Sequence, residues 1–254
     1  MDIIIKENYQ EISLAAASII ADLIRSKPDC VLGLATGSTP LGTYRELIRR
    51  HKEENLDFFK VKTFNLDEYQ GIGIDLSKPY DQDRSAARFM HEELFKHINL
   101  QKENIYLPDG LARDMNNFCA WYEQEIVKAG GIDLQVLGIG SNGHWAFNEP
   151  GSSLSSRTRV QPLAQQTIDD NYESFYKKSG ISKEAMPHFA VTLGIGTILE
   201  SRHALMLANG EKKAAILAKA LQGPVTSAIT ASAIQTHPGK VTVILDRAAA
   251  AKLK

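Results

Sequence analysis

Short apolar runs alternate with longer stretches in which apolar residues recur every three or four positions, and the alternation continues along nearly the whole chain. Asp2 to Ile5 reads as a first strand. Tyr9, Ile12, Ala16, Ile19, Ile20 and Leu23 then trace one face of a helix that Pro28 ends. Cys30 to Ala35 is a buried strand, Leu41 to Lys52 a helix, and Val61 to Asn65 a third strand. Further helices are predicted over Ser85–His97, Met115–Ala129, Thr167–Lys178, Glu211–Gln222 and Ala248–Leu253. Further strands are predicted at Ile105–Leu107, Leu134–Leu137, Ala190–Leu193, Ala204–Ala208 and Val241–Leu245. No Asn-Gly-type hairpin signal joins two strands. The pattern therefore predicts an α/β fold, one mostly parallel sheet with helices on both faces. Two polar stretches interrupt it. Gln70 to Asp83 is rich in Gly, Pro and Asp, an uncommon length without structure that suits a functional loop. Residues 151–187 read as a lid within a single domain spanning 1–254.

Composition adds little to this and excludes a good deal. With 254 residues, 43% hydrophobic and 23% charged, the chain has the makings of a sizeable core. The net charge of -1, without a basic tail or charge block, gives no long-range attraction for nucleic acid or an anionic membrane. The first residues are too charged for a signal peptide. The most apolar helix-length window, Leu14 to Ile24, is short and contains Asp22, so it does not span a bilayer. Cys30 and Cys119 sit in apolar patterns and read as buried thiols in a reducing compartment. The expectation is a soluble cytoplasmic protein.

Three strand ends carry the candidate chemistry. Thr36-Gly37-Ser38-Thr39-Pro40 leaves a buried strand and enters a helix, with Thr39 as the expected cap and Pro40 at the first helical position. Free N–H groups and hydroxyls converging there favour an anion, most naturally a phosphate. Gly37 and Gly42 have the Walker A spacing, but Thr43-Tyr44 stands where Lys-Ser/Thr is required. At the second strand end, Phe64-Asn65-Leu66-Asp67-Glu68-Tyr69, two adjacent carboxylates point in opposite directions. One is expected to face a pocket, where burial would make it a general base, and the other the surface.

The third strand end, Gly138 to Gly151, presents His144 and Glu149 among glycines. Gly138, Gly140 and Gly143 satisfy the dinucleotide fingerprint, yet Pro150 and Gly151 follow where a helix should begin, so dinucleotide binding is not expected. There is no H-E-x-x-H, and His91 and His97 fall on different helix faces, so no metal is expected. The nucleophile elbow G-x-S-x-G is absent as well. What remains is acid–base work on a bound phosphate ester, without a cofactor.

In order along nearly the whole chain, residues 34–40, 64–69 and 138–150, with Ser155-Ser156-Arg157-Thr158-Arg159 and Gly210-Glu211-Lys212-Lys213-Ala214, resemble the glucosamine-6-phosphate deaminase family. The resemblance implies a Rossmann-like doubly wound sheet. It also implies that Thr36, Gly37, Ser38, Thr39 and Lys213 hold the phosphate of an amino sugar. Asp67 would move the proton from C2 to C1, and His144, oriented by Glu149, would open the pyranose ring. Asn142 stands where some members have Asp; an amide can fix the imidazole tautomer, leaving the charge to Glu149. Arg157 and Lys177 are the candidate lid cations, because Glu173 occupies the position where the family commonly offers an arginine, with Lys178 next to Lys177.

Ala86 replaces a pocket-side tyrosine and, with Glu173, leaves galactosamine 6-phosphate as the alternative substrate. Ser152 and Arg159 match an effector site of allosteric members, but Gln161 replaces its lysine, so no activation is expected. The chain ends at Lys254, without the longer tail of hexameric members, which implies a monomer or small homo-oligomer. A 6-phosphogluconolactonase reading is disfavoured because Trp145 to Pro150 brings in a carboxylate. A sugar-phosphate sensor is disfavoured because no helix-turn-helix precedes the first strand.

Overall fold

The computed structural model describes residues 1–73, 85–177, 180 and 182–254. Ten strands and eight α-helices are seen among them. The first half runs β1 (Asp2–Lys6), α1 (Tyr9–Ser26), β2 (Val31–Leu34), α2 (Leu41–Glu54), β3 (Lys62–Asn65), β4 (Asp67–Tyr69), α3 (Ala86–Glu93), β5 (Ile105–Tyr106), α4 (Met115–Lys128) and β6 (Leu134–Leu137). The second half runs β7 (Arg159–Pro162), α5 (Gln165–Asn171), β8 (Phe189–Thr192), α6 (Ile195–Leu199), β9 (His203–Ala208), α7 (Ala214–Gln222), β10 (Lys240–Asp246) and α8 (Arg247–Ala250). No helix among the described residues is long and apolar enough to cross a membrane.

Seven strands form one sheet in the order β1-β10-β9-β6-β2-β3-β5, every pair parallel. Every residue of β2 and of β6 is buried, so side chains on both faces are covered, as the continuous apolar runs predicted. On α1 the covered stripe is Ile12, Ala16, Ile20 and Ile24, spaced four apart. From β2 the chain adds β3 and β5 on one side, then returns to place β6 on the other. The reversal between β2 and β6 opens a crevice at the C-terminal ends of the strands, where open α/β sheets bind ligands.

The sequence pattern did not foresee a second sheet. Strands β4, β8 and β7 form a separate antiparallel trio, with Asp67 opposite Thr192 and Arg159 also opposite Thr192. Ala190 to Leu193, predicted for the parallel sheet, belongs largely to this one. The trio has no local signature because its members meet across long stretches of chain rather than through tight turns.

Three local expectations are also corrected. Thr39 does not cap α2 with its side chain; its hydroxyl lies 3.3 Å from Asn209 Oδ1 instead. Glu68 does not face the surface. It is buried and accepts from the Ser85 hydroxyl and the Ala86 and Ala87 amides, which ties down the start of α3. The helix predicted to Lys178 is α5 followed by a π-helical turn over Tyr172–Tyr176. Most of the predicted 70–83 loop, together with Arg84 and Lys178, lies outside the described residues.

At the opposite end of the sheet from the crevice, Asp133 gathers the strand starts. Its carboxylate accepts from Lys27 Nζ and from the Val31 amide at 2.8 Å, and from Arg202 Nη1 at 3.1 Å. It is 6% exposed, so removing it strands a buried amide. Asp133→Ala is expected to cost about 2 kcal/mol of unfolding free energy, read from urea denaturation, with catalytic constants unchanged. A loss under about 0.5 kcal/mol would count against this tie.

Candidate active site

A cavity of about 670 Å³ occupies the crevice. The turn after β2 supplies Thr36, Gly37, Ser38 and Thr39 to its wall, the segment after β3 supplies Asp67, the turn after β6 supplies His144, and the segment after β9 supplies Lys213. Residues far apart in sequence thus meet because four parallel strands end on the same rim. Gly37 has φ +103°, and the space beside its Cα is open, so the backbone can present itself to a ligand. The start of α2 adds unsatisfied amides beside this turn. Lys213 Nζ donates to the Ile139 carbonyl at 2.8 Å, and burial lowers its pKa while Asp170 pulls the other way. A lysine held in this way gains from an anion that restores its charge balance.

Asp67 and Glu68 project to opposite sides of β4, and both are buried. Burial first, and then the charge of Glu68, pushes the Asp67 carboxyl up to about 7. Burial also pushes Glu68 up to about 7, against the Ala87, Ala86, Ser85 and Tyr69 donors. Those donors favour an ionised Glu68, whereas Asp67 is held up by burial and by the charge of Glu68. A carboxyl that lines a cavity and titrates near neutrality is suited to take a proton from carbon and return it.

The turn after β6 is built around the imidazole of His144. A Cβ at Gly140 would fall 2.3 Å from the His144 ring, and Gly143 has φ +88°. Gly140 N–H donates to the His144 carbonyl, and Gly143 N–H to the Gly140 carbonyl, which closes the turn. Ala146 is left-handed as well, at φ +47° despite its Cβ.

Asn142 stands between the imidazole and Glu149. Its Nδ2 donates to Glu149 Oε2 at 2.9 Å, and its Oδ1 lies 2.8 Å from His144 Nδ1. Against the opposing effect of burial, contacts led by His144, with Thr167 and Asn142, hold the Glu149 carboxyl down at about 2. The ionised Glu149 can only accept, so it turns the amide NH₂ toward itself and the amide oxygen toward His144. The Nδ1 edge must then carry the proton, which leaves Nε2 with its lone pair. By sequence, Glu149 orients the imidazole and supplies the charge, with the Asn142 amide able to fix the tautomer. In the structure Glu149 lies 3.5 Å from Nδ1, and Asn142 is the nearer partner.

The segment after β7 adds residues that the sequence did not single out. On α5, Thr167, Asp170 and Asn171 all line the cavity. Thr167 reaches His144, Asp170 accepts a short hydrogen bond from the Ser141 hydroxyl, and Asn171 donates to the Tyr69 hydroxyl at 2.9 Å. Their spacing of three and four is the one available signal, a polar face on a short helix. The candidate lid cations do not join them. Arg157 lies 2.5 Å from both Glu123 and Glu200, and Lys177 is paired with Glu173 at 2.8 Å; neither lines the cavity. Glu173 and Ala86 do line it.

The family model described as glucosamine-6-phosphate isomerases/6-phosphogluconolactonase matches residues 6–243. The chain is 45% identical over 250 residues to glucosamine-6-phosphate deaminase of Thermoanaerobacter pseudethanolicus, covering 98% of this chain and 94% of that one. It is 47% identical over 255 residues to glucosamine-6-phosphate deaminase 2 of Bacillus subtilis, covering 100% and 98%. A solved monomeric glucosamine-6-phosphate deaminase superposes with a TM-score of 0.91 at 44% identity, covering 99% of this chain and 100% of the other. A 6-phosphogluconolactonase from Trypanosoma cruzi shares the fold at 22% identity, with a TM-score of 0.73 and coverage of 100% and 97%. By sequence along its length and by fold, the chain belongs to the glucosamine-6-phosphate isomerase/6-phosphogluconolactonase family.

Proposed function

We propose that this chain deaminates and isomerises glucosamine 6-phosphate to fructose 6-phosphate and ammonium, a reaction of amino-sugar catabolism. One observation carries the reading. A carboxyl poised near neutrality, an imidazole of fixed tautomer and an anion-binding turn line the same cavity. In this reading, Thr36 to Thr39, the first amides of α2 and Lys213 hold the phosphate. His144 Nε2 takes the O1 proton and delivers it to the ring oxygen, opening the pyranose to the aldehyde. Asp67 removes the C2 proton, whose bonding electrons form the C1–C2 double bond of an enolamine while O1 takes up a proton, and it returns its proton to C1 as the amine nitrogen gives one up to leave the C2 imine. Water adds to the resulting C2 imine, the C–N bond breaks, and the ammonia released takes up a proton. Every step moves only protons and water, so the scheme calls on no coenzyme or metal. A monomer working in the cytoplasm fits this reading.

Ammonium and fructose 6-phosphate are expected from glucosamine 6-phosphate, and Asp67→Asn is expected to lower kcat by about 10³-fold. Wild-type enzyme that releases neither product would overturn the assignment. Galactosamine 6-phosphate, assayed alongside, tests the second reading that Ala86 and Glu173 on the cavity wall favour. The rate is expected to rise with pH as Asp67 ionises through about 7. Glu68→Gln removes a negative neighbour and lowers the Asp67 pKa, so the acid limb of kcat/KM is expected to move down by about one pH unit. An acid limb that stays in place would mean that Glu68 carries no charge at the working pH.

Arg159 is already engaged by its own chain. It donates to Ser152 Oγ at 2.9 Å, Gln161 Oε1 at 2.7 Å and Asn148 Oδ1 at 2.9 Å. With Gln161 accepting from it rather than adding a second cation, N-acetylglucosamine 6-phosphate is expected to leave the rate curve unchanged. A sigmoidal curve made hyperbolic by that compound would refute this.

A further inference from the structure

The lid helix touches the proton-moving group at one side chain. Thr167 is 3% exposed, lines the cavity, and brings its hydroxyl to 3.5 Å from His144 Nδ1. It meets the edge of the ring where Asn142 Oδ1 and Glu149 Oε2 also converge, at 2.8 and 3.5 Å. The lid backbone joins in from the preceding turn, where the Ala164 amide donates to Glu149 Oε1 at 3.2 Å. Both oxygens of Glu149 are therefore engaged, one by Asn142 and one by the lid. We propose that Thr167 is a positioning residue for the ring-opening step: its hydroxyl holds the Glu149–Asn142–His144 chain in register and ties that register to the seating of α5 over the cavity.

Among the described residues, the Ala164 amide is the hydrogen-bond donor to Glu149 Oε1. The Asn142 amide keeps its orientation only while Glu149 stays ionised and in place, because the carboxylate decides which end of the amide faces the ring. The Thr167 hydroxyl is among the groups that keep the Glu149 carboxyl low. If α5 lifts, the Ala164 amide and the Thr167 hydroxyl leave together. Glu149 would then keep only its contacts with Asn142 and the His144 ring, and the Asn142 oxygen that faces Nδ1 would lose its fixed orientation. Seating of the lid would thus set the tautomer of His144 at the moment the sugar is enclosed, which suits an imidazole that must first accept and then donate at Nε2. Ser141 and Asp170 form a second tie from α5 to the same turn, but it does not touch the imidazole chain.

The proposal rests on the deaminase reading, and its test separates the two. Thr167→Val keeps the shape and removes the hydroxyl, whereas Thr167→Ser keeps the hydroxyl. With glucosamine 6-phosphate, Thr167→Val is expected to lower kcat about tenfold relative to wild type with KM nearly unchanged, and Thr167→Ser to restore most of the loss. Independently of turnover, the Glu149 carboxyl, labelled with ¹³C and assigned by its absence in Glu149→Gln, is titrated in the free protein. Asp67, Asp170 and Lys213 line the same cavity, so the signals of the two aspartates are followed in the same spectra. The Glu149 midpoint is expected to rise in Thr167→Val and return in Thr167→Ser.

An unchanged kcat and an unchanged midpoint in the valine variant would overturn the proposal. So would a fall in kcat that serine fails to restore, or one that tracks a drop in melting temperature while the midpoint stays put. Should the valine variant fail to fold, Thr167→Ala is carried through the same two measurements. Absence of turnover in wild type would strike the deaminase reading instead, and the titration would still judge the Thr167 contact.

Discussion

The change of direction in strand order between β2 and β6 is the constraint on which the molecule depends. A parallel sheet covered on both faces has one place where its interior can be left open, the crevice at the point of reversal. The turns after β2 and β6 flank that crevice, and the segments after β3 and β9 complete its rim. The turn of Thr36 to Thr39, Asp67, His144 and Lys213 therefore share a cavity without any local sequence relation among them. The opposite rim is tied shut by Asp133.

The small antiparallel sheet gives the crevice its chemistry. β4 carries Asp67 and Glu68, and pairing with β8 buries both. Burial pushes both carboxyls up toward neutrality, and the donors at the start of α3 make Glu68 the helix anchor while Asp67 lines the cavity. The same pairing fixes β7 and β8 at the base of the lid, from which α5 reaches over the cavity. One packing arrangement thus raises the Asp67 carboxyl and places the α5 residues that touch the imidazole chain.

Electrostatic roles at the site divide by environment rather than by residue type. Asp67, which has few donors, is held up by burial, whereas Glu149, which has several, is held down despite burial. Two carboxyls separated in this way can serve as a base and as a fixed anion in the same cavity. Asn142 reads differently in this light. The sequence suggested that an amide there could fix the tautomer and left the charge to Glu149 alone. The structure makes the amide the link, since its two ends can satisfy a carboxylate and an imidazole N–H at once.

By itself the sequence determined the elements of the parallel sheet, because buried strands and amphipathic helices announce themselves by period. Val31–Leu34 and Leu134–Leu137 fell where their apolar runs lie, and α1 buries the stripe its spacing predicts. The motifs after β2, β3 and β6 were legible too, because glycines and isolated polar residues at strand ends have few purely structural uses. Only the tertiary structure decided the rest. β4 and β7 are too short and polar to show a period, and their partners lie far along the chain. The burial of Glu68, the engagement of Arg157 by Glu123 and Glu200, and the contact of Thr167 with His144 depend on what packs opposite each side chain. A local pattern records which way a residue points, but the partner that gives it a role comes from elsewhere in the chain.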